Sequence, residues 1–323
     1  MVEPDGVATT VASLEAVPEG VAAVAHRVVH GGLRFREPVV VDDAVERELQ
    51  AAVELAPLHN APALAAIMEA RRALPDLPHV AVFDSAYHAT IPEHALTYAL
   101  PASVREDWGI RRFGFHGLSV QWASERVAVP RLVVCHLGGG CSVTAVKDGR
   151  SIDTTMGFTP LEGVPMATRA GSVDPGALLY LLKHYLTVDE LDQMLEHESG
   201  LTGLSGVSGD VRDLGSSDAP AARLALAVFT YRVATAVGAM ATALGGLDAL
   251  VFTAGIGENS ALVRAAVCER LGFVGLQLDL DANESARPDT MVSTADSPVR
   301  VLVLEAREDV VAARAARHLL GLT

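Results

Sequence analysis

Two arginines stand in apolar, glycine- or proline-rich surroundings. Arg27 lies in His26-Arg-Val-Val-His-Gly-Gly32, and Arg169 in Met156-Gly-Phe-Thr-Pro-Leu-Glu-Gly-Val-Pro-Met-Ala-Thr-Arg-Ala-Gly171. An unpaired charge in such a setting is costly, so each needs an anionic partner. A guanidinium is a planar fork that meets carboxylate or phosphate oxygens two at a time. Two forks from distant parts of the chain suggest a clamp on one such anion. Asp84, at the end of an apolar run, and Glu308 are the carboxylates best placed for Mg2+, which takes one or two carboxylates plus phosphate oxygens. Either reads equally well as a solvated strand end or a helix N-terminal acid. His59 and His116 sit in compact apolar loops, where a structural histidine is the commoner reading. His26 and His30 have the i,i+4 spacing of a zinc pair, but the strand-like run between them argues against a metal site.

Three glycine-rich turns, Gly31-Gly32, Gly138-Gly-Gly140 and Gly255-Ile-Gly257, follow apolar runs. Glycine lets the backbone turn tightly and present bare N–H groups to phosphate. One such turn is weak evidence, since purely structural turns look alike. Two in the second half, with Ser205-Gly-Val-Ser-Gly-Asp-Val-Arg212, favour nucleotide binding. None matches the P-loop or the dinucleotide fingerprint. The residues alone point to phosphoryl transfer on a small anionic substrate.

The elements that must hold these groups alternate between strand and helix. Strands are expected at 21–29, 80–83, 131–137, 142–146, 151–155, 250–253 and 299–304. Helices are expected at 42–56, 62–74 (opening on Pro62), 176–184, 188–195, 220–244, 260–271 and 308–320. A carboxylate at the end of a parallel strand, as at Asp84, is where α/β folds place ligand groups. The second half reads strand, glycine turn, strand, Asp-Gly turn, strand. The first half opens with Asp5-Gly6 and the run Val7 to Ser13, which reads as the same Asp-Gly turn and third strand. If the halves are repeats, the chain starts inside a hairpin.

Length and composition bound the rest. The 323 residues, half of them apolar, can bury a large core in one large or two medium domains. A net charge of −15 argues against nucleic acid and acidic membrane surfaces. Leu224 to Leu244 is long enough to span a bilayer, but Arg232 and its small residues favour a buried core helix. The first residues do not read as a signal peptide. Cys135, Cys141 and Cys268 show no paired spacing, which fits a reducing cytosol.

The wording of several segments is more specific. His26-Arg-Val-Val-His-Gly-Gly32, Ala56-Pro-Leu-His-Asn60, Val82-Phe-Asp-Ser-Ala-Tyr-His88, Phe113-Gly-Phe-His-Gly117, Asp153-Thr-Thr-Met-Gly-Phe-Thr-Pro-Leu-Glu-Gly163, Thr168-Arg-Ala-Gly171 and Val251-Phe-Thr-Ala-Gly-Ile-Gly-Glu-Asn259 resemble the acetate kinase signatures, in the family's order. The resemblance covers nearly the whole chain. It implies an α/β fold of two ribonuclease-H-like domains around an ATP cleft, shared with actin, sugar kinases and heat-shock chaperones. Residues 1–88 with 309–323 would form the first domain and 89–308 the second. It also implies a cytoplasmic homodimer using ATP and Mg2+, acting on acetate or another short carboxylate. By the same resemblance, Arg27 and Arg169 would hold the carboxylate and the migrating phosphoryl group. His116 would donate a hydrogen bond to that group, with His59 in support. Asp84 would position substrate or metal, and Glu308 would help hold Mg2+. Val29, Leu58, Phe115 and Pro160 would line the methyl pocket. His136, Gly138, Gly139 and Gly140 would meet the nucleotide, and Asp210, Val211 and Arg212 with Gly255, Ile256, Gly257 and Asn259 would receive adenosine.

The chain departs from the family pattern at Gly139 (usually Asn), Val120 (His), Ser172 (Asp) and Gly209 (Ser). The family's opening strand and Asn-x-Gly-Ser-Ser-Ser-x-Lys loop, which grips nucleotide phosphates, has no counterpart here. Two expectations follow. One is an acyl kinase whose native start lies upstream of Met1. The other is a non-catalytic relative that binds a ligand or partner through the retained cleft.

Overall fold

The computed structural model describes residues 1–3, 9, 14–18, 20–55 and 57–322, and the side chains of 15 and 54–59 are not described. The expected Asp5-Gly6 turn and third strand fall largely outside the described residues, as do the side chains of Leu58 and His59.

Two sheets organise the chain. The smaller contains β1 (Val24–Val28), β2 (Val39–Val40) and β3 (His79–Phe83), in the order β1-β3-β2. β1 runs parallel to β3, so Arg27 is opposite Val82, and the strand ends carry Arg27 and Asp84 to the same edge. The larger contains β4 (Arg131–Leu137), β5 (Cys141–Lys147), β6 (Arg150–Thr154), β7 (Ala249–Thr253), β8 (Thr290–Met291) and β9 (Arg300–Val303). Its order is β6-β5-β4-β7-β9-β8, antiparallel from β6 to β4 and parallel from β4 to β9. An antiparallel meander followed by parallel strands beside its first member is the ribonuclease-H-like arrangement expected.

Sequence pattern explains most of this. β4 and β7 are apolar almost throughout because helices cover both faces. The helix Pro220–Leu244 lies against one face of the sheet, with Ala222, Ala225, Phe229, Val233 and Val237 fully buried. It is long and apolar enough to cross a membrane, yet much of it is core, as its small residues suggested. The helix Gly117–Val127 covers the opposite face and joins Leu118 to Val80, Val82 and Val311 of the smaller sheet and the last helix, Glu308–Leu320. That last helix packs on β1 and β3.

Two expectations needed correction, and two short strands had not been anticipated. Pro62 does not open its helix; the helix runs Pro57–Ala73 with Pro62 inside. Pro57 supplies the favourable first-turn proline instead. The buried Asn60 anchors the extra turn, donating to the carbonyls of His30 and Ala52 and accepting from the His30 N–H. Tertiary bonds thus outweigh the interior proline. The glycine turn after β7 is a short helix, Ala254–Asn259. β2 and β8, two residues each, lack enough length to show a period.

Candidate active site

Arg27 and Asp84 form the first half of the site. Arg27 Nε and Nη2 donate to the two Asp84 oxygens at 2.9 and 2.7 Å, while Arg27 Nη1 lies 3.3 Å from Glu308. Burial opposes the Arg27 charge, but Asp84, with Glu308 behind it, outweighs burial and raises its pKa. Asp84 is fully buried, and its backbone carbonyl accepts from the Gly117 N–H. A Cβ at Gly117 would start 2.0 Å from that carbonyl, so glycine is needed for this approach. Glu308 opens the last helix; burial raises its carboxyl pKa, against the pull of Arg27.

Gly117 follows His116, whose backbone is left-handed at φ 60° and ψ 23°. A non-glycine residue in this region stores strain that the surroundings must hold. His116 Nδ1 meets Ser142 Oγ at 3.0 Å, and its ring stacks on His136 at 4.0 Å. His136 Nδ1 in turn meets Ser119 Oγ at 2.9 Å. Burial, then the neighbours His136, Arg27 and Arg169, hold His116 well below the ordinary histidine pKa. Burial, then Arg27, pushes His136 down to about 3. Both rings are neutral at pH 7.

Arg169 reaches the same place from the other side. A Cβ built on Gly140 would lie 3.3 Å from His116 Nε2 and 3.5 Å from Arg169 Nη1. The gap above Gly140 is therefore faced by one imidazole and one guanidinium, and the charge of Arg27 bears on the same imidazole. Glu196 holds Arg169 through a 3.0 Å ion pair, and Thr168 Oγ1 donates to the Glu196 carbonyl. Each arginine thus has an internal carboxylate that fixes its fork. Direct contacts join Arg27 to Asp84 and Glu308, and the gap at Gly140 joins His116 to Arg169. Asp84, however, is turned toward Arg27, with both oxygens engaged.

The remaining expected residues are distributed unevenly. Gly139 and Gly255 have open space where a side chain would be, while Gly257 is pressed against the Phe252 backbone. Gly138 faces Ala254. Ile256 packs partly on the core, and Asn259 bonds back to the Gly255 carbonyl. Val211 turns its side chain into the core, leaving only its backbone to a ligand. Asp210 caps its helix and pairs with the exposed Arg212 at 2.5 Å. Phe115 and Pro160 are buried and Val29 is half-buried. His30 is fully buried, with rings centred 4.4 Å from Phe113 and 5.2 Å from Phe115. His30 Nδ1 accepts from the Gly32 N–H, so its Nε2 carries the proton donated to the Phe158 carbonyl. His26 faces His79 instead. The three cysteines are buried and unpaired; burial pushes Cys141 and Cys268 up to about 12.

Several supports had no sequence signal. Glu258 Oε1 accepts from the Ala254 N–H at 2.8 Å and the Ala306 N–H at 2.9 Å. One oxygen thus ties the turn after β7 to the loop that delivers Glu308. Arg264, almost fully buried, donates to the carbonyls of Gly257, Glu258 and Asn283 and to Asn283 Oδ1. Arg112 donates to the carbonyls of Thr155 and Met156 and pairs with Glu162 at 3.0 Å, shaping the loop before Arg169. His88 bonds Ser151 Oγ and the Phe115 carbonyl, bracing the residue before His116.

The profile of the acetokinase family matches residues 7–314. The chain belongs to the acetokinase family. It is 50% identical over 298 residues to the acetate kinase of Nostoc punctiforme, covering 88% of this chain and 73% of that relative. It is 49% identical over 311 residues to the acetate kinase of a Synechococcus strain, covering 93% and 77%. Among solved structures, a propionate kinase from Francisella tularensis superposes with a TM-score of 0.87 at 37% identity, over 94% of this chain and 79% of that one. The acetate kinase of Porphyromonas gingivalis gives 0.87 at 36% identity, over 96% and 80%. This acetokinase therefore shares their α/β fold.

Proposed function

We infer that this acetokinase transfers the γ-phosphoryl group of ATP to acetate or propionate, giving the acyl phosphate and ADP. The observation that carries this reading is the gap at Gly140, faced by His116 Nε2 and Arg169 Nη1 with Arg27 acting on the same imidazole. A carboxylate is already a nucleophile, so no base is required. Its oxygen forms the new bond to phosphorus as the bond to the ADP oxygen breaks. Charge on the migrating group is met by the two guanidinium forks, and neutral His116 donates one hydrogen bond. Positioning and charge neutralisation are what this chemistry requires. Because Asp84 and Glu196 hold the forks beforehand, little side-chain freedom is lost when the anion arrives.

Glu308 fits a role toward Mg2+. No cluster of three or more ligating side chains occurs among the described residues, so the remaining ligands would be phosphate oxygens and water. Bound there, the ion would neutralise charge on the transferring phosphates. A cavity of about 1160 Å³ runs along β1 and the last helix, with Arg27 and Glu308 in its lining. Val29, Leu58, Phe115 and Pro160 would enclose the acyl chain, with His59 beside them. Asp210 to Arg212 and Gly255 to Asn259 would receive adenosine, and His136 with Gly138 to Gly140 would border the phosphates. The last helix packs on β1 and β3, which supports taking 1–88 with 309–323 as one closing unit and 89–308 as the other. The same reading makes the protein a cytoplasmic homodimer, which sedimentation can test.

The deciding experiment is ATP-dependent acyl phosphate formation, trapped with hydroxylamine, from acetate and propionate. Turnover that needs ATP, Mg2+ and a short carboxylate supports the reading. A folded protein that binds ATP but forms no acyl phosphate from either acid would refute it.

A further inference from the structure

Arg111 has a carboxylate neighbour, Glu93, but no ion pair among the described residues. Its Nε is buried and has no hydrogen-bond partner. The Phe113 ring centre lies 5.9 Å from its guanidinium carbon. Burial, and then the nearby positive charge of Arg36, make its protonated form less favourable than usual, with Glu93 acting the other way. Arg36 also lacks an ion-pair partner among the described residues. Two guanidinium groups that line one cavity, neither with an ion pair among the described residues, offer an anion two forks.

A cavity of about 410 Å³ opens between them, lined by Arg36, Arg105 and Arg111 and walled by Ile91, Leu96 and Ile110. That volume lies in the range of small-molecule sites. Glu93 and Glu106 also line it, yet neither comes within ion-pair reach of Arg36 or Arg111. The cavity's own carboxylates therefore leave both forks unfilled. A single carboxylate fits one fork, whereas a tetrahedral dianion has enough oxygens to bridge two.

We propose that Arg36 and Arg111 form a second anion site, separate from the cleft at Gly140, that takes the phosphate group of a small molecule. The apolar wall would accept a short carbon body attached to that phosphate. The site bridges the loop after β1, which carries Arg36, and the segment leading to His116.

The test is calorimetric titration of inorganic phosphate and pyrophosphate into the native protein and into the Arg36→Ala and Arg111→Ala variants. Phosphate held in the cleft is common to all three and drops out of the comparison. The native protein is expected to show a class of site that each substitution weakens about tenfold or more, the loss of one charge-assisted contact. Arg36 is exposed, so its alanine variant folds even if Arg111→Ala does not. Binding unchanged by Arg36→Ala, or no binding outside the cleft at about 10 mM probe, would overturn the proposal. So would succinate binding equally well with the same arginine dependence.

Discussion

The imidazole of His116 stacks on that of His136, with ring centres 4.0 Å apart and planes 18° from parallel. Two stacked imidazoles between two arginines cannot carry protons at modest cost, so in the proposed reaction His116 would act as a neutral donor. The kcat–pH profile is therefore expected to show no inflection near 6.5 from His116. A histidine-like inflection that disappears in His116→Asn would contradict this assignment.

Arg169→Ala should lower kcat by roughly 10²–10³ or more, the size of one lost charge-stabilising donor. Arg169→Lys should recover only part of it, because a point charge replaces a fork and the pairing to Glu196 changes. Steady-state assays of both variants, with circular dichroism to check folding, decide the matter. Near-native turnover in the alanine variant would remove Arg169 from the mechanism.

Gly140→Ala and Gly139→Ala make a paired test of the gap. The methyl at 140 would enter the space between His116 and Arg169, whereas at 139 it meets nothing within 4 Å. The first should cost about 10²-fold or more in kcat with little change in stability, and the second should be nearly silent. Equal effects at both positions would mean that the phosphoryl group does not pass there.

Glu258→Gln should retain most activity, since the amide oxygen can still accept from both Ala254 and Ala306. Glu258→Ala leaves two backbone donors unmet, each worth about 1–3 kcal/mol if they stay buried. Its mark should be a raised Mg2+ requirement, because the loop delivering Glu308 is released. Urea unfolding together with Mg2+ titration separates general destabilisation from this effect.

Acid should destabilise the fold through its buried histidines. Burial lowers His26, His30 and His88 to about 4 and His136 to about 3. The unfolded chain takes up these protons near pH 6.5, while the folded protein resists until pH 3–4. Stability is therefore full above about pH 6.5 and falls as pH drops toward 4. Each fully buried histidine contributes up to about 1.4 kcal/mol per pH unit in that window. Urea unfolding at pH 7.5 and 5 should show the fall, and His88→Gln should reduce it.

The sequence by itself singled out the candidate residues and the strands that present them. Arg27 and Arg169 stood out as charges in apolar, glycine- or proline-rich surroundings, whereas Asp84, His116 and Glu308 were set apart from ordinary structural residues only by the resemblance of their motifs to the acetate kinase signatures. The long strands and the helix Pro220–Leu244 were legible because their burial is written into short-range periodicity. Tertiary structure alone decided the pairings. Asp84 finds Arg27 across 57 positions, and Glu258 reaches the Ala306 N–H across 48. No propensity records such a distance. Glu196 and Ser142 likewise look like ordinary surface or turn residues until the fold sets them against Arg169 and His116. Asn60 shows the same limit at the level of an element, since its bonds to His30 and Ala52 extend a helix past the proline that local rules would place in its first turn. Periodicity is a property of neighbours along the chain, whereas the site's electrostatics depend on which distant backbones the two sheets bring within hydrogen-bond reach.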